Sequence, residues 1–205
     1  MKKFLTVLIF LFGALYCYGI SINDVILQAF SKPIPVMLIL AQVRPASKYN
    51  FLIMAGLLFS IVGDILLLNV VDKFLYGLTA FLTAHIFYTI AFLIRDRRIK
   101  SWSVLFFYVL GGGMLYFLYP HLGEMVKPVL VYVFVIITML WRAFMQRNYN
   151  KIAVFAYMGA MIFVLSDFIL AYNRFVHTYP YAGIVTIITY WYAQYLIARS
   201  TFRNE

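Results

Sequence analysis

The sequence predicts an all-α, polytopic membrane bundle of eight transmembrane helices, and three observations predict it. Of the 205 residues, 65% are apolar and only 12% charged, far from the balance of a soluble domain. A hydrocarbon core about 30 Å thick takes about 20 apolar residues per helical crossing, so the chain holds roughly eight crossings with little left over. The positive residues, finally, cluster in alternate breaks between the apolar runs. This composition excludes a secreted disulfide scaffold, a nucleic-acid-binding domain and a two-domain soluble enzyme. The breaks are short, so residues 1–205 are expected to form a single domain of antiparallel neighbouring helices.

The first run, Phe4 to Ile20, follows Lys2 and Lys3. A basic start before a short apolar run also describes a signal peptide. No small-residue cleavage site follows it, and the paired plan described below needs a first helix, so the run is expected to be retained. Its Cys17 is the chain's one cysteine, which excludes a disulfide or thiolate cluster within one chain and reads as apolar filling. The second run, Val25 to Val43, holds Lys32 followed by Pro33 and Pro35, prolines that break the helical ladder and free backbone carbonyls. The third, Phe51 to Val70, sets Gly56, Ser60, Gly63 and Asp64 on one helical face. The fourth, Phe74 to Ile94, does the same with Gly77, Phe81, Ala84, His85 and Tyr88. The fifth is Trp102 to Tyr119, and the sixth, Pro128 to Phe144, opens on a Lys127–Pro128 step. The seventh, Ile152 to Tyr172, aligns Gly159, Phe163, Ser166 and Asp167, and the eighth runs from Tyr181 to Ala198 with Gly183 near its start.

Sidedness follows from the charges. Lys2, Lys3, Arg44, Lys48, Arg95, Arg97, Arg98, Lys100, Arg142, Arg147, Lys151, Arg199 and Arg203 fall at alternate ends of the runs, thirteen of the seventeen basic residues. The positive-inside rule assigns those ends, and with them both termini, to the cytoplasm. The opposite side holds Lys32, Lys73, Lys127 and Arg174 together with Asp24, Asp72 and Glu124. The net charge of +10 therefore reads as a topology signal beside anionic lipid head groups, with no nucleic-acid partner. The expected location is multi-pass in a bacterial cell (inner) membrane.

The halves also look duplicated. Gly56, Gly63 and Asp64 match Gly159, Ser166 and Asp167 in spacing, Lys32–Pro33 matches Lys127–Pro128, and Gly77 matches Gly183. Four crossings separate the partners, so matched helices run in the same direction. The implied plan is a parallel repeat of four helices plus four about an axis along the membrane normal.

Depth points to chemistry. Asp64 lies six residues before the outer end of its run and Asp167 five, about 9 and 8 Å below the surface at 1.5 Å per residue, while Lys32 lies about 10 Å in from the same side. Each would cost at least about 2.5 kcal/mol in lipid, so all three are expected to face the bundle interior, pair and mark a site. Glycine and serine also serve plain close packing. A carboxylate adds nothing to packing that serine or alanine could not supply at lower cost. Two aspartates and one lysine sum to minus one, so one carboxyl is expected to keep its proton beside an anionic partner paired with Lys32. A neutral acid next to a fixed carboxylate can protonate a substrate and stabilise the cation that results. The two aspartates are interchangeable at this level. His85, near mid-membrane, reads as a hydrogen-bonding residue, since His121 and His177 fall in outer loops and leave no three-ligand metal set. No metal or cofactor is expected.

Taken together, Lys32 to Pro35, Gly56 to Leu67, Gly77 to Tyr88 and Gly159 to Phe175 with its Asn173 resemble the YhhN family of membrane proteins, which includes the animal lysoplasmalogenases. The resemblance spans nearly the whole chain. The family often carries a small polar residue directly after the second aspartate, where this chain has Phe168. What the resemblance implies is cleavage of the vinyl-ether bond of a lysoplasmalogen, a lysophospholipid drawn from the membrane lipids, to a fatty aldehyde and a glycerophospho-base. It casts Asp64 and Asp167 as the catalytic pair and Lys32 as the partner of the anion or of the lipid phosphate. Ser60, His85, Tyr88, Ser166 and Asn173 then contact substrate or water, with Lys127 and Arg174 as further phosphate candidates. The rival from another class is a small ion-coupled transporter, which a parallel repeat with charges inside the membrane also describes.

Overall fold

The computed structural model describes residues 2–68, 71 and 73–202, and every regular element among them is helical. Val70, Asp72 and Arg203, used above for a helix end and for sidedness, lie outside the described residues. Helix α1 (Lys2–Ser21) is followed by two short helices, α2 (Val25–Ser31) and α3 (Ile34–Leu40). Asp24 starts α2 by accepting the Leu27 N–H at 2.9 Å. Lys32 and Pro33 separate α2 from α3, because the proline has no N–H with which to continue the ladder. The second predicted run is thus two half-helices. As one regular helix, Val25–Leu40 would extend only about 24 Å.

Helix α4 (Lys48–Leu66) is capped by Ser47, whose hydroxyl accepts the Asn50 N–H at 3.1 Å. Then follow α5 (Phe74–Arg95), α6 (Ser101–Leu118), two 3₁₀ turns (Tyr119–His121 and Gly123–Met125), α7 (Val126–Gln146), α8 (Ala153–Phe175) and α9 (Ala182–Arg199). Among the described residues six stretches are long and apolar enough to cross a membrane: Phe4–Ser21, Lys48–Leu66, Phe74–Arg95, Trp102–His121, Gly123–Gln146 and Ala153–Phe175. Helix α9 is less apolar because it carries Tyr190, Trp191, Tyr192, Gln194 and Tyr195 in succession, several of them turned inward. The outer faces of α1 and α6 are apolar and bare, with Phe10 75% and Leu105 69% exposed. Such faces are at home in hydrocarbon and untenable in water. The chain is an integral membrane protein.

Close packing pairs α4 with α5 and α8 with α9; α7 bridges α5 and α8, α6 lies on α7, and α1 lies against α2 and α3. The small-residue faces predicted to point inward do so, with Gly56, Ser60, Gly63 and Asp64 buried in α4 and Gly159, Phe163 and Ser166 in α8. At Gly159 a Cβ would come within 2.8 Å of the Ala193 carbonyl oxygen. That oxygen is backbone and cannot swing aside, so glycine is what lets α8 and α9 approach.

One end of the bundle is tied together by its basic residues. The Arg95 guanidinium lies 3.2 Å from the centre of the Tyr49 ring and donates to the Ser200 carbonyl at 2.9 Å, while the Tyr49 and Ser200 hydroxyls bond at 2.6 Å. Arg142, buried in α7, donates to the Arg98 carbonyl at 3.0 Å and to that of Asp96. Hydrogen bonds from Arg98 hold the Asp96 carboxyl below the usual carboxylate range. The start of α4 and the ends of α5, α7 and α9 therefore meet on one side, as the alternation of charge requires.

Candidate active site

The two acids sit in separate hydrogen-bonding networks. Asp64, near the end of α4, is 1% exposed and accepts the Tyr190 hydroxyl of α9 at 2.9 Å. One turn further along α9, Gln194 accepts the Tyr88 hydroxyl of α5 at 2.7 Å. The Tyr88 ring lies against Gly56, where a side chain would collide with it, and Ser60 is buried on the same face of α4. A carboxyl in such a place needs each donor it has, because an unbonded polar group in a dry interior costs about 1–3 kcal/mol. Lys32, at the α2–α3 break, lies within electrostatic reach of Asp64 but donates instead to the Leu67 carbonyl at 3.3 Å. It lines a polar cavity of about 30 Å³ with Tyr16, Gln28 and Leu67.

Asp167, on α8, joins residues of two other helices. Its Oδ2 accepts the Tyr132 hydroxyl of α7 and lies 3.4 Å from Nε2 of His85 on α5. The same Nε2 is 2.9 Å from the Tyr132 oxygen, and Nδ1 of His85 is buried with no protein partner. Unlike Asp64, this carboxyl is partly open, with 16% of its side chain exposed. Asp167 and Tyr132 line an apolar cavity of about 50 Å³ with Leu67, Phe74, Met114 and Phe168 among its other walls.

Aromatic rings divide the networks. Phe163 stacks edge-on against His85 with ring centres 4.7 Å apart and against Tyr190 at 5.4 Å, and Phe81 packs on both Phe163 and Tyr190. Of the expected cluster of Asp64, Asp167 and Lys32, the last lies within electrostatic reach of Asp64, while Asp167 bonds to residues of other helices. Among the described residues Asp96 pairs with Arg98, the Asp167 carboxyl lies beside the His85 imidazole, and neither Asp64 nor Lys32 enters an ion pair. Spacing along a helix puts the two acids at one level, but their partners lie on different helices, Tyr190 of α9 for Asp64 and Tyr132 of α7 for Asp167. His85 and Tyr88, placed on one face of α5, bond to different networks, His85 to Tyr132 and Tyr88 to Gln194.

Three further candidates make contacts of their own. Ser166 donates to the Thr186 carbonyl at 2.8 Å and ties α8 to α9. Asn173, near the end of α8, accepts the Tyr179 N–H at 3.2 Å and orders the turn between α8 and α9. Arg174 lies 5.0 Å over the Phe74 ring. Conversely, Tyr132, Tyr190 and Gln194 were not singled out in the sequence. Tyr132 falls on the buried stripe Val129, Val133, Ile136 and Leu140, and Gln194 is a polar residue inside an apolar run; both signals were present but shared with many neighbours.

The sequence profile of the YhhN family matches residues 27–201. The chain is similar to rat lysoplasmalogenase TMEM86B, 35% identical over 82% of this chain and 69% of the relative, and to its human counterpart, 33% identical over 86% and 76%. It is also similar to the Escherichia coli O157:H7 membrane protein YhhN, 25% identical over 83% and 85%. No solved structure matches the chain.

Proposed function

The chain belongs to the YhhN family, and on that premise we propose that it is a lysoplasmalogenase, a membrane hydrolase of the vinyl-ether bond of lysoplasmalogens. The observation that carries this reading is the similarity to lysoplasmalogenases along most of the chain. The geometry adds an acid, Asp167, that is held by neighbours on one oxygen and lines an apolar cavity within the membrane-embedded bundle.

The chemistry needs a proton donor and water. Asp167, as the neutral acid, gives its proton to the β-carbon of the vinyl ether while the ether oxygen shares its lone pair, leaving an oxocarbenium ion. Water adds to the other carbon of the former double bond, the one attached to the ether oxygen, and returns a proton to the carboxylate. The hemiacetal then breaks its bond to the glycerol oxygen, giving the fatty aldehyde and the glycerophospho-base. His85 and Tyr132 stabilise the carboxylate that forms when the proton leaves. Asp64, with Tyr190, Gln194 and Tyr88, holds the second network, and its negative charge balances Lys32, whose ammonium meets the lipid phosphate. The apolar walls around Asp167 receive the alkenyl chain.

The same reading carries the topology. The chain crosses the membrane eight times, with α2 and α3 as one interrupted crossing, α9 as the last, and both termini in the cytoplasm. The matched contacts of Gly56 with α5 and Gly159 with α9 support a four-plus-four repeat.

The test is purified chain in lipid vesicles, given a lysoplasmenyl lipid and, separately, its saturated-ether analogue. The expected result is aldehyde from the first and none from the second. Equal inertness toward both, with ion-driven flux across the vesicle wall, would establish a carrier instead.

A further inference from the structure

We propose that Tyr132 is a positioning residue for the acid: oriented by His85, its hydroxyl ties down Oδ2 of Asp167 and leaves Oδ1 as the oxygen that meets the substrate. This rests on the enzymatic reading above and deepens it.

The hydrogen count is restrictive. A phenol has a single hydrogen, and that of Tyr132 goes to Oδ2 of Asp167. Toward His85 the phenol oxygen can only accept, so the hydrogen between them belongs to Nε2 of the imidazole, 2.9 Å away. With Nε2 protonated, the buried and unpartnered Nδ1 holds a lone pair in neutral His85. An unpaired N–H of an imidazolium in that place would cost more than an unpaired lone pair. A directed chain results, from His85 to Tyr132 to Asp167. Both contacts to the carboxyl fall on Oδ2, and Oδ1 takes no hydrogen bond from the described residues.

That asymmetry has a chemical use. The carboxyl of an aspartate turns easily about its last bond, and a donor on one oxygen fixes which oxygen stays free. As the proton leaves Oδ1 for carbon, negative charge spreads over both oxygens, and the phenol hydrogen already points at one of them. In an apolar cavity such a preset donor is worth more than in water. The Tyr132 ring is independently held, edge-on to His85 with centres 5.3 Å apart, so the hydroxyl is placed by packing that phenylalanine would preserve.

The experiment compares wild type, Tyr132→Phe and the exposed control Tyr116→Phe in the vesicle assay, with KM, kcat and thermal unfolding measured for each. Loss of a hydrogen bond to a developing charge lowers kcat by about 10- to 100-fold. KM for the lysoplasmenyl lipid stays near its wild-type value, and the control matches wild type. A second variant, 3-fluorotyrosine at position 132, keeps the shape and strengthens the donor; it changes kcat without changing KM and serves even where Tyr132→Phe folds poorly. If wild type releases aldehyde and both variants keep its kcat, or if the whole loss appears in KM, the assignment to Tyr132 is wrong while the enzymatic reading stands. If wild type releases no aldehyde, the enzymatic reading fails and takes this assignment with it.

Discussion

Asp64 and Asp167 occupy matched positions in two similar stretches of sequence and have opposite surroundings. Asp64 is 1% exposed, with a single donor from Tyr190, and lines neither the apolar cavity nor the polar one. Asp167 is partly open, has both its contacts on one oxygen, and borders the apolar cavity. The residue one turn earlier explains much of the contrast. It is Ser60 in α4, small and buried, but Phe163 in α8, whose ring fills the space between His85 and Tyr190. A similar frame thus yields one enclosed carboxyl and one that can reach a substrate, and the difference lies in which neighbours each helix face meets.

The largest expected effect separates the two acids kinetically. Asp167→Asn removes the proton donor and lowers kcat by about 10²- to 10⁴-fold, with substrate binding and thermal stability nearly kept. Asp64→Asn leaves Lys32 without its nearby negative charge, so its loss of activity comes with a raised KM and a lower unfolding temperature. Steady-state kinetics and thermal unfolding in detergent distinguish these signatures. If both variants lose kcat alone, at unchanged KM and stability, the two networks act as one unit and the acids do not differ in role.

A smaller effect probes the enclosed side by itself. Tyr190→Phe removes the donor to Asp64 and keeps the ring packed on Phe81 and Phe163. Leaving the buried carboxyl without this partner costs about 1–3 kcal/mol, read as a lower unfolding temperature. An unchanged unfolding temperature would mean that Asp64 is not held as an enclosed group.

Much of the fold was legible because membrane burial imposes blunt rules. Apolar runs gave the helices, Pro33 gave the break between α2 and α3, and small residues spaced around Asp64 and Asp167 gave the inward faces. The basic residues at alternate breaks anticipated the end where Arg95, Arg142 and Asp96 interlock. The candidate site was legible only in part. Sequence spacing fixes depth along a helix but not the angle at which one helix meets the next, so Asp64, Asp167 and Lys32 were placed at one level without the rings of Phe81 and Phe163 between them. Tyr132 stayed hidden because it is one of 17 tyrosines in a chain where most aromatics face lipid or fill the core. Asn173 orders a turn, a role that a polar residue at the end of an apolar run serves as readily as a site.

The smallest effect tests how far the site on α8 extends. Ser166 adjoins Asp167 in sequence and stands where α4 has Gly63, but a one-residue step along a helix turns a side chain by about 100°. Its hydroxyl reaches the Thr186 carbonyl, which also receives the Thr189 hydroxyl at 2.9 Å. That carbonyl therefore stays bonded when Ser166 is lost. Ser166→Ala removes one buried tether, worth about 0.5–1.5 kcal/mol at most, and leaves kcat at its wild-type value. Thermal unfolding and turnover of the same sample decide the matter. A drop in kcat beyond the change in folded fraction would place Ser166 in the reacting network and extend the open site across the α8–α9 contact.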